Sequence, residues 1–174
     1  RTNLDFVLSG VETNSKVVFV TSTISGEGKT FVSVNIASSI ALAGNRVLLV
    51  GMDLRAPKLT QYLGLPNRSG VSNYLVGQKD NVLDLVYPLP DFDNLDVLSS
   101  GMIPPNPSEL LLNPKLEKMF EELRLHYDYI IVDTAPVSLV TDTLMMSHQA
   151  DNFIYVARAN YLDKRMLDFS QKLY

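Results

Sequence analysis

Residues 16–30 read KVVFVTSTISGEGKT: a β-branched apolar run, a turn of small residues, and the start of a helical pattern. The run Lys16–Thr21 lacks polar alternation, which predicts a strand buried on both faces. Gly26 and Gly28 let the backbone curl so that successive N–H groups point inward, and the helix behind them adds the positive end of its dipole. Together these form an anion nest suited to a polyphosphate. The general phosphate-loop pattern is Gly, four residues, then Gly-Lys-Ser/Thr. Gly28-Lys29-Thr30 fit its end, while Thr23 stands at its first position. In that setting Lys29 reaches the β- and γ-phosphates and the Thr30 hydroxyl binds Mg²⁺. The predicted nucleotide contacts are Ser25, Gly26, Glu27, Gly28, Lys29, Thr30 and Phe31.

Outward from this stretch, strands alternate with helical segments. Further strands are predicted at Arg46–Val50, Leu95–Leu98, Asp128–Val132 and Asn152–Ala157. Helices are predicted at Gly28–Ala43, with Phe31, Val34, Ala37, Ile40 and Leu42 towards one side, and at Pro107–Leu125 and Tyr161–Tyr174. Asn106, Pro107 and Glu109 form a capping arrangement before the second helix, and Gly44–Asn45 ends the first. Residues 57–93 break into short helices and loops. The pattern predicts an α/β fold, a three-layer phosphate-loop NTPase-like sandwich with a mostly parallel sheet and helices on both faces. Residues 1–174 are expected to form a single domain.

Two carboxylates follow predicted strands. Asp53 ends VLLVGMD and Asp133 ends YIIVD, both at the sheet edge where ligands bind in open α/β folds. Either is placed to bind Mg²⁺ or orient a water on it. Thr30, Asp53 and Asp133 are therefore the predicted metal set, and Lys29, Asp53 and Asp133 the predicted catalytic set. Arg55 is placed to touch phosphate or a neighbouring subunit. Arg158, after the last strand, is placed either to meet the base or ribose or to make a surface salt bridge. The acidic residues Asp91, Asp93 and Asp96 read as a solvated loop.

Composition narrows the function. The chain has 174 residues, a net charge of −4 and no cysteine. Disulfides, thiolate metal sites, iron–sulfur clusters and cysteine nucleophiles are excluded. Nothing in the average charge suggests a nucleic-acid partner. No apolar run approaches the roughly 20 residues that span a bilayer. The chain opens on Arg1 and closes inside a helical pattern at Tyr174, which suggests a piece of a longer protein.

Residues 21–30, 47–55 and 129–136 resemble the Walker A, A′ and B motifs of the bacterial tyrosine kinases, the cytoplasmic autokinase domains of Wzc-like polysaccharide co-polymerases. GMIPPNPSELL (101–111), YDYIIVDTAPV (127–137), Thr141–Asp142 and the opening RTNLDF fit that family in order and spacing. The resemblance implies ATP or ADP with Mg²⁺, held through Lys29, Thr30, Asp53 and Asp133. It implies a ring-like homo-oligomer whose subunits phosphorylate each other's tyrosines and so control capsule or exopolysaccharide export. It also implies a cytoplasmic domain at the bacterial inner membrane, anchored by a transmembrane co-polymerase segment or an adaptor, and Arg1 as the last Arg of an oligomerisation motif.

Three features depart from that family. Its A′ motif has Asp-x-Asp, the first Asp being the family's candidate for activating the attacking tyrosine. Here Gly51 replaces it, which leaves that role to Asp53 or Asp133, or leaves a domain that mostly binds and hydrolyses ATP. Ser25 stands for a Pro, and no tyrosine cluster is present. Two other readings follow: a scaffold that oligomerises on ATP without transferring phosphate, and a MinD/ParA-type ATPase. The second lacks its signature Lys, because Ile24 stands there. A eukaryotic-type kinase is excluded, since neither its catalytic loop nor its DFG sequence is found.

Overall fold

The computed structural model describes residues 15–66, 68–138 and 142–167. Six strands form one sheet: β1 (Lys16–Ser22), β2 (Val47–Gly51), β3 (Val86–Pro88), β4 (Leu95–Leu98), β5 (Tyr129–Asp133) and β6 (Asn152–Val156). Their spatial order is β3-β4-β2-β5-β1-β6. Every pairing is parallel except β3 with β4. The five expected strands are thus present within a residue or so of their expected bounds. The short edge strand β3 was not anticipated, because three residues ending in Pro carry no periodic signal.

Side-chain alternation divides the core between the two faces. Val17, Phe19, Leu48, Val50, Ile130 and Val132 pack with Met119, Phe120 and Leu123 of helix α5 (Lys115–His126). Val18, Val20, Leu49 and Ile131 pack with Ala37, Ile40 and Ala41 of helix α1 (Lys29–Ala41). Phe19 anchors the first face, 6.1 Å from Phe120 and edge-on to Phe153 at 5.5 Å.

Three helix expectations need correction. In α1, Phe31 and Leu42 are exposed, while Lys29 and Ser33 lie on the buried face. The stretch 107–125 is two helices, α4 (Pro107–Leu111) and α5, because Pro114 disfavours helical backbone at Asn113. Asn113 fills the break, accepting from Lys115 N at 2.9 Å and donating to Leu75 O at 3.2 Å. Asn106 is the N-cap of α4 and Pro107 opens the helix as expected, but the Asn106 side chain donates to Glu109 Oε2 at 2.5 Å and does not cap the helix backbone. The shorter helices are α2 (Leu59–Tyr62), α3 (Val71–Leu75) and α6 (Asp142–Met145). After β6 the chain turns and forms a 3-10 turn at Lys164–Leu167. The remainder of the expected last helix, like Arg1, lies outside the described residues.

Candidate nucleotide site

The phosphate loop leaves β1 and enters α1 through two left-handed glycines, Gly26 at φ 90° and Gly28 at φ 98°. Residues with a Cβ rarely adopt such angles. The chain after β5 braces the loop from below. Val137 N donates to Ser22 O at 2.9 Å and Ser138 N to Thr23 O at 3.1 Å. Thr23, at the position usually held by Gly, is fully buried, and its hydroxyl bonds to the Tyr155 hydroxyl of β6. A β-branched residue therefore fits there because it has a partner.

Four of the predicted residues converge on one cleft of about 290 Å³: Lys29, Thr30, Asp53 and Asp133. Ser25, Gly26, Gly28 and Phe31 also line it. Asp133 is buried at the end of β5. Its Oδ2 accepts from Thr30 Oγ1 at 2.8 Å and its Oδ1 from Ser33 Oγ at 3.3 Å. Burial raises its pKa to about 6, against the lowering effect of the Thr30 hydroxyl, the Lys29 charge and the Ser33 hydroxyl. Burial likewise pulls the Lys29 ammonium below the usual lysine range, opposed by Asp133 and Asp53. Asp53 is half-buried, and its Oδ1 accepts from Arg55 N at 3.2 Å and Ala56 N at 2.9 Å. That Asx-type turn fixes the carboxylate at the mouth of the cleft.

Two predicted contacts are placed differently. The Glu27 side chain is buried away from the cleft, accepting from Ile24 N at 2.8 Å and from Arg158 N at 3.3 Å. It is a brace inside the loop. Arg158 does not line the cleft; its guanidinium lies 5.2 Å from the Tyr161 ring centroid and reaches Gly26 O at 3.4 Å. Arg55 lines the cleft but is committed to Asp142, with Nε donating to Oδ2 at 2.7 Å and Nη2 to Oδ1 at 3.1 Å. Asp96 leaves the acidic loop to accept from Tyr127 Oη at 2.7 Å.

Sequence reasoning missed Ser33, Asp142, Lys58 and Tyr62. Ser33 had a signal: it is four residues after Lys29 on α1 and therefore shares its face. Asp142 entered only as part of the Thr141–Asp142 stretch that fits the family in order and spacing. Lys58 and Tyr62 line the cleft from the loop after β2 and from α2, at spacings that follow no pattern.

The donor set suits a hard divalent cation and a polyphosphate. Thr30 Oγ1 and Asp133 Oδ2 are already within 2.8 Å, and both are oxygen donors of the kind Mg²⁺ takes beside substrate phosphates.

A family model described as an AAA domain matches residues 15–165. EpsB of Ralstonia nicotianae is 38% identical over 158 residues, 91% of this chain but 20% of its own length. The chain thus spans about a fifth of that relative. Tyrosine-protein kinase CpsD of Streptococcus agalactiae is 37% identical over 170 residues, 94% of this chain and 71% of CpsD. Among solved structures, the kinase domain of the Escherichia coli tyrosine kinase ETK superposes with a TM-score of 0.91 at 32% identity, covering 99% of this chain and 67% of that one. MinD of Pyrococcus horikoshii, solved with Mg-ADP, shares the fold at a TM-score of 0.68 and 24% identity, over 82% of this chain and 58% of MinD. On this likeness, and on the loop and carboxylates described above, the chain belongs to the bacterial tyrosine-protein kinases, a family with the phosphate-loop NTPase fold.

Proposed function

We propose that this chain transfers the γ-phosphoryl group of ATP to tyrosines of neighbouring copies of itself, in control of capsular or exopolysaccharide synthesis and export. The observation that carries the reading is the convergence of Lys29, Thr30, Asp53 and Asp133 on one cleft above a formed phosphate loop. The family to which the chain belongs supplies the acceptor class. A ring of copies, and a transmembrane segment or adaptor at the inner membrane, belong to the same proposal. Among the described residues no helix is long and apolar enough to cross a membrane.

The loop amides and the Lys29 ammonium hold the phosphates and offset charge as the γ-phosphoryl group moves. Thr30 and Asp133 would hold Mg²⁺, which would neutralise charge on the phosphoryl oxygens, and this leaves Asp53 for the proton. Asp53 is the better-suited proton acceptor for the attacking tyrosine. Its Oδ2 has no hydrogen bond among the described residues, whereas Asp133 is buried and its Oδ2 is held by the Thr30 hydroxyl. The role of the missing Asp at position 51 thus passes to Asp53.

Gly51 also favours a second reading, a nucleotide-gated scaffold without phosphoryl transfer. A Cβ built at Gly51 would lie 2.6 Å from Ser100 Oγ, so the space for an acidic side chain is filled. Mass spectrometry of the full-length protein after incubation with MgATP, beside Lys29→Met, separates the two. Lys29-dependent phosphotyrosine is expected. Bound nucleotide without phosphotyrosine would overturn the kinase reading and leave the scaffold. Turnover stimulated by lipid or DNA would instead point to a MinD/ParA-type ATPase.

A further inference from the structure

Tyr161 follows β6 and leans on the phosphate loop from outside the cleft. Its Oη donates to Ser25 O at 3.2 Å. The approach is close: a Cβ at Gly26 would come within 2.6 Å of that oxygen. Arg158 sits against the ring and bonds to Gly26 O, so both side chains hold backbone carbonyls of the loop. Tyr161 is nevertheless 49% exposed and does not line the cleft. Tyr74, Tyr87 and Tyr127 are buried, and Tyr62 lines the cleft. Tyr161 is thus a half-exposed tyrosine outside the cleft whose hydroxyl, once its bond to Ser25 O opens, can be presented to another copy, and it touches its own phosphate loop.

We propose that Tyr161 is a phosphorylation site modified by a second copy of this chain, and that the phosphate releases the Arg158–Tyr161 turn from the phosphate loop and weakens nucleotide binding. This rests on the kinase reading above. In the reaction Tyr161 Oη forms a bond to the γ-phosphorus of ATP held by the other copy. The bond from that phosphorus to the β,γ-bridging oxygen breaks, ADP leaves with its electron pair, and the phenolic proton passes to a carboxylate of the donor copy and then to water. The product oxygen carries no proton and cannot donate to Ser25 O. A phosphate of nearly two negative charges is repelled by that carbonyl and draws the Arg158 guanidinium off Gly26 O. The loop that must hold a nucleotide polyphosphate then has a second anion beside it.

Trypsin cuts after Arg158 and Lys164, leaving Ala159–Lys164 (ANYLDK) with one tyrosine. The full-length protein is incubated with MgATP, that peptide is mapped by mass spectrometry, and affinity for a fluorescent ADP analogue is measured before, after, and following tyrosine phosphatase. Phosphate on the peptide is expected, with affinity lowered roughly tenfold and restored by the phosphatase. An isotope-labelled Lys29→Met copy mixed with unlabelled protein should acquire the same phosphate, and Tyr161→Phe should lose the ATP-dependent drop in affinity. Phosphate on other tyrosines but not on this peptide would overturn the site and leave the kinase reading intact. Phosphate here with unchanged affinity would overturn the switch. Absence of phosphotyrosine from every peptide would overturn both.

Discussion

Arg55 and Asp142, 87 residues apart, form a forked ion pair that ties the loop after β2 to the start of α6. Ser108 of α4 completes it, accepting from Arg55 Nη2 at 2.6 Å and donating to Asp142 Oδ1 at 3.1 Å. Asp142 is almost fully buried, while the Arg55 side chain is 40% exposed. Removing Arg55 strands a buried carboxylate, whereas removing the pair does not. Arg55→Ala should lower unfolding stability by about 2 kcal/mol, a value discounted for the exposure of the arginine. In urea denaturation, Arg55→Ala combined with Asp142→Asn should cost less than the two single losses added together. Strict additivity would show that the pair carries no coupling.

Asp133 holds its proton more tightly when folded than when unfolded, since burial raises its pKa to about 6 from an ordinary 3.8. Between those values the unfolded chain loses its proton first. This group therefore makes the nucleotide-free protein less stable as pH rises from about 4 to 6, and the cost persists above that. Asp133→Asn should raise the melting temperature of the nucleotide-free protein at pH 7 in the presence of a chelator, and flatten the pH dependence of stability in that window. The same substitution should abolish Mg²⁺-dependent tightening of nucleotide binding. A lower melting temperature at pH 7 would contradict the assigned burial cost.

Gly51 is the last residue of β2, in register with Asp133 on β5. Its missing Cβ position lies 2.6 Å from Ser100 Oγ, 3.2 Å from Ser100 N and 3.4 Å from Leu59 Cδ2. Gly51→Asp should destabilise by about 1–3 kcal/mol through overpacking, with further cost from a second carboxylate beside Asp133. Ser100→Gly should relieve part of that loss in thermal melts, because it removes the nearest atom. If the double variant melts no higher than Gly51→Asp, the close approach is not the cause.

Glu27 holds two backbone N–H groups, of Ile24 and Arg158. Glu27→Ala frees both, and the phosphate loop loses its internal brace. The KM for ATP should rise several-fold, since charge-assisted hydrogen bonds of this kind contribute about 1.5–3 kcal/mol in part to loop shape. Glu27→Gln keeps one acceptor oxygen but sets an NH2 group against the other backbone N–H, so it should recover only part of the loss. Wild-type affinity in Glu27→Ala would show that the brace does not set nucleotide binding.

The parts legible from sequence were those encoded by neighbours along the chain. The phosphate loop, its glycines and the strand-end carboxylates follow from a continuous apolar run ending in a turn. The backbone requirement and the chemical group lie within a few residues of each other, as with Gly28, Lys29 and Thr30. The strand–helix alternation gave the parallel sheet for the same reason. The missed strand β3, the break at Asn113–Pro114 and the exposed Phe31 were less legible, because short elements and helix faces are decided by what packs against them.

Sequence alone determined that an anion nest and two carboxylates sit at one edge of an α/β sheet, because local backbone geometry and strand ends are set by nearest neighbours. Only the tertiary structure decided which polar groups meet: Thr30 with Asp133, Arg55 with Asp142, Glu27 turned into its own loop, and Tyr161 on Ser25. Most of these partners are separated by tens of residues and brought together by sheet order and helix docking. Burial then forces each polar group to find an acceptor or donor within reach, and no sequence spacing records which one that will be.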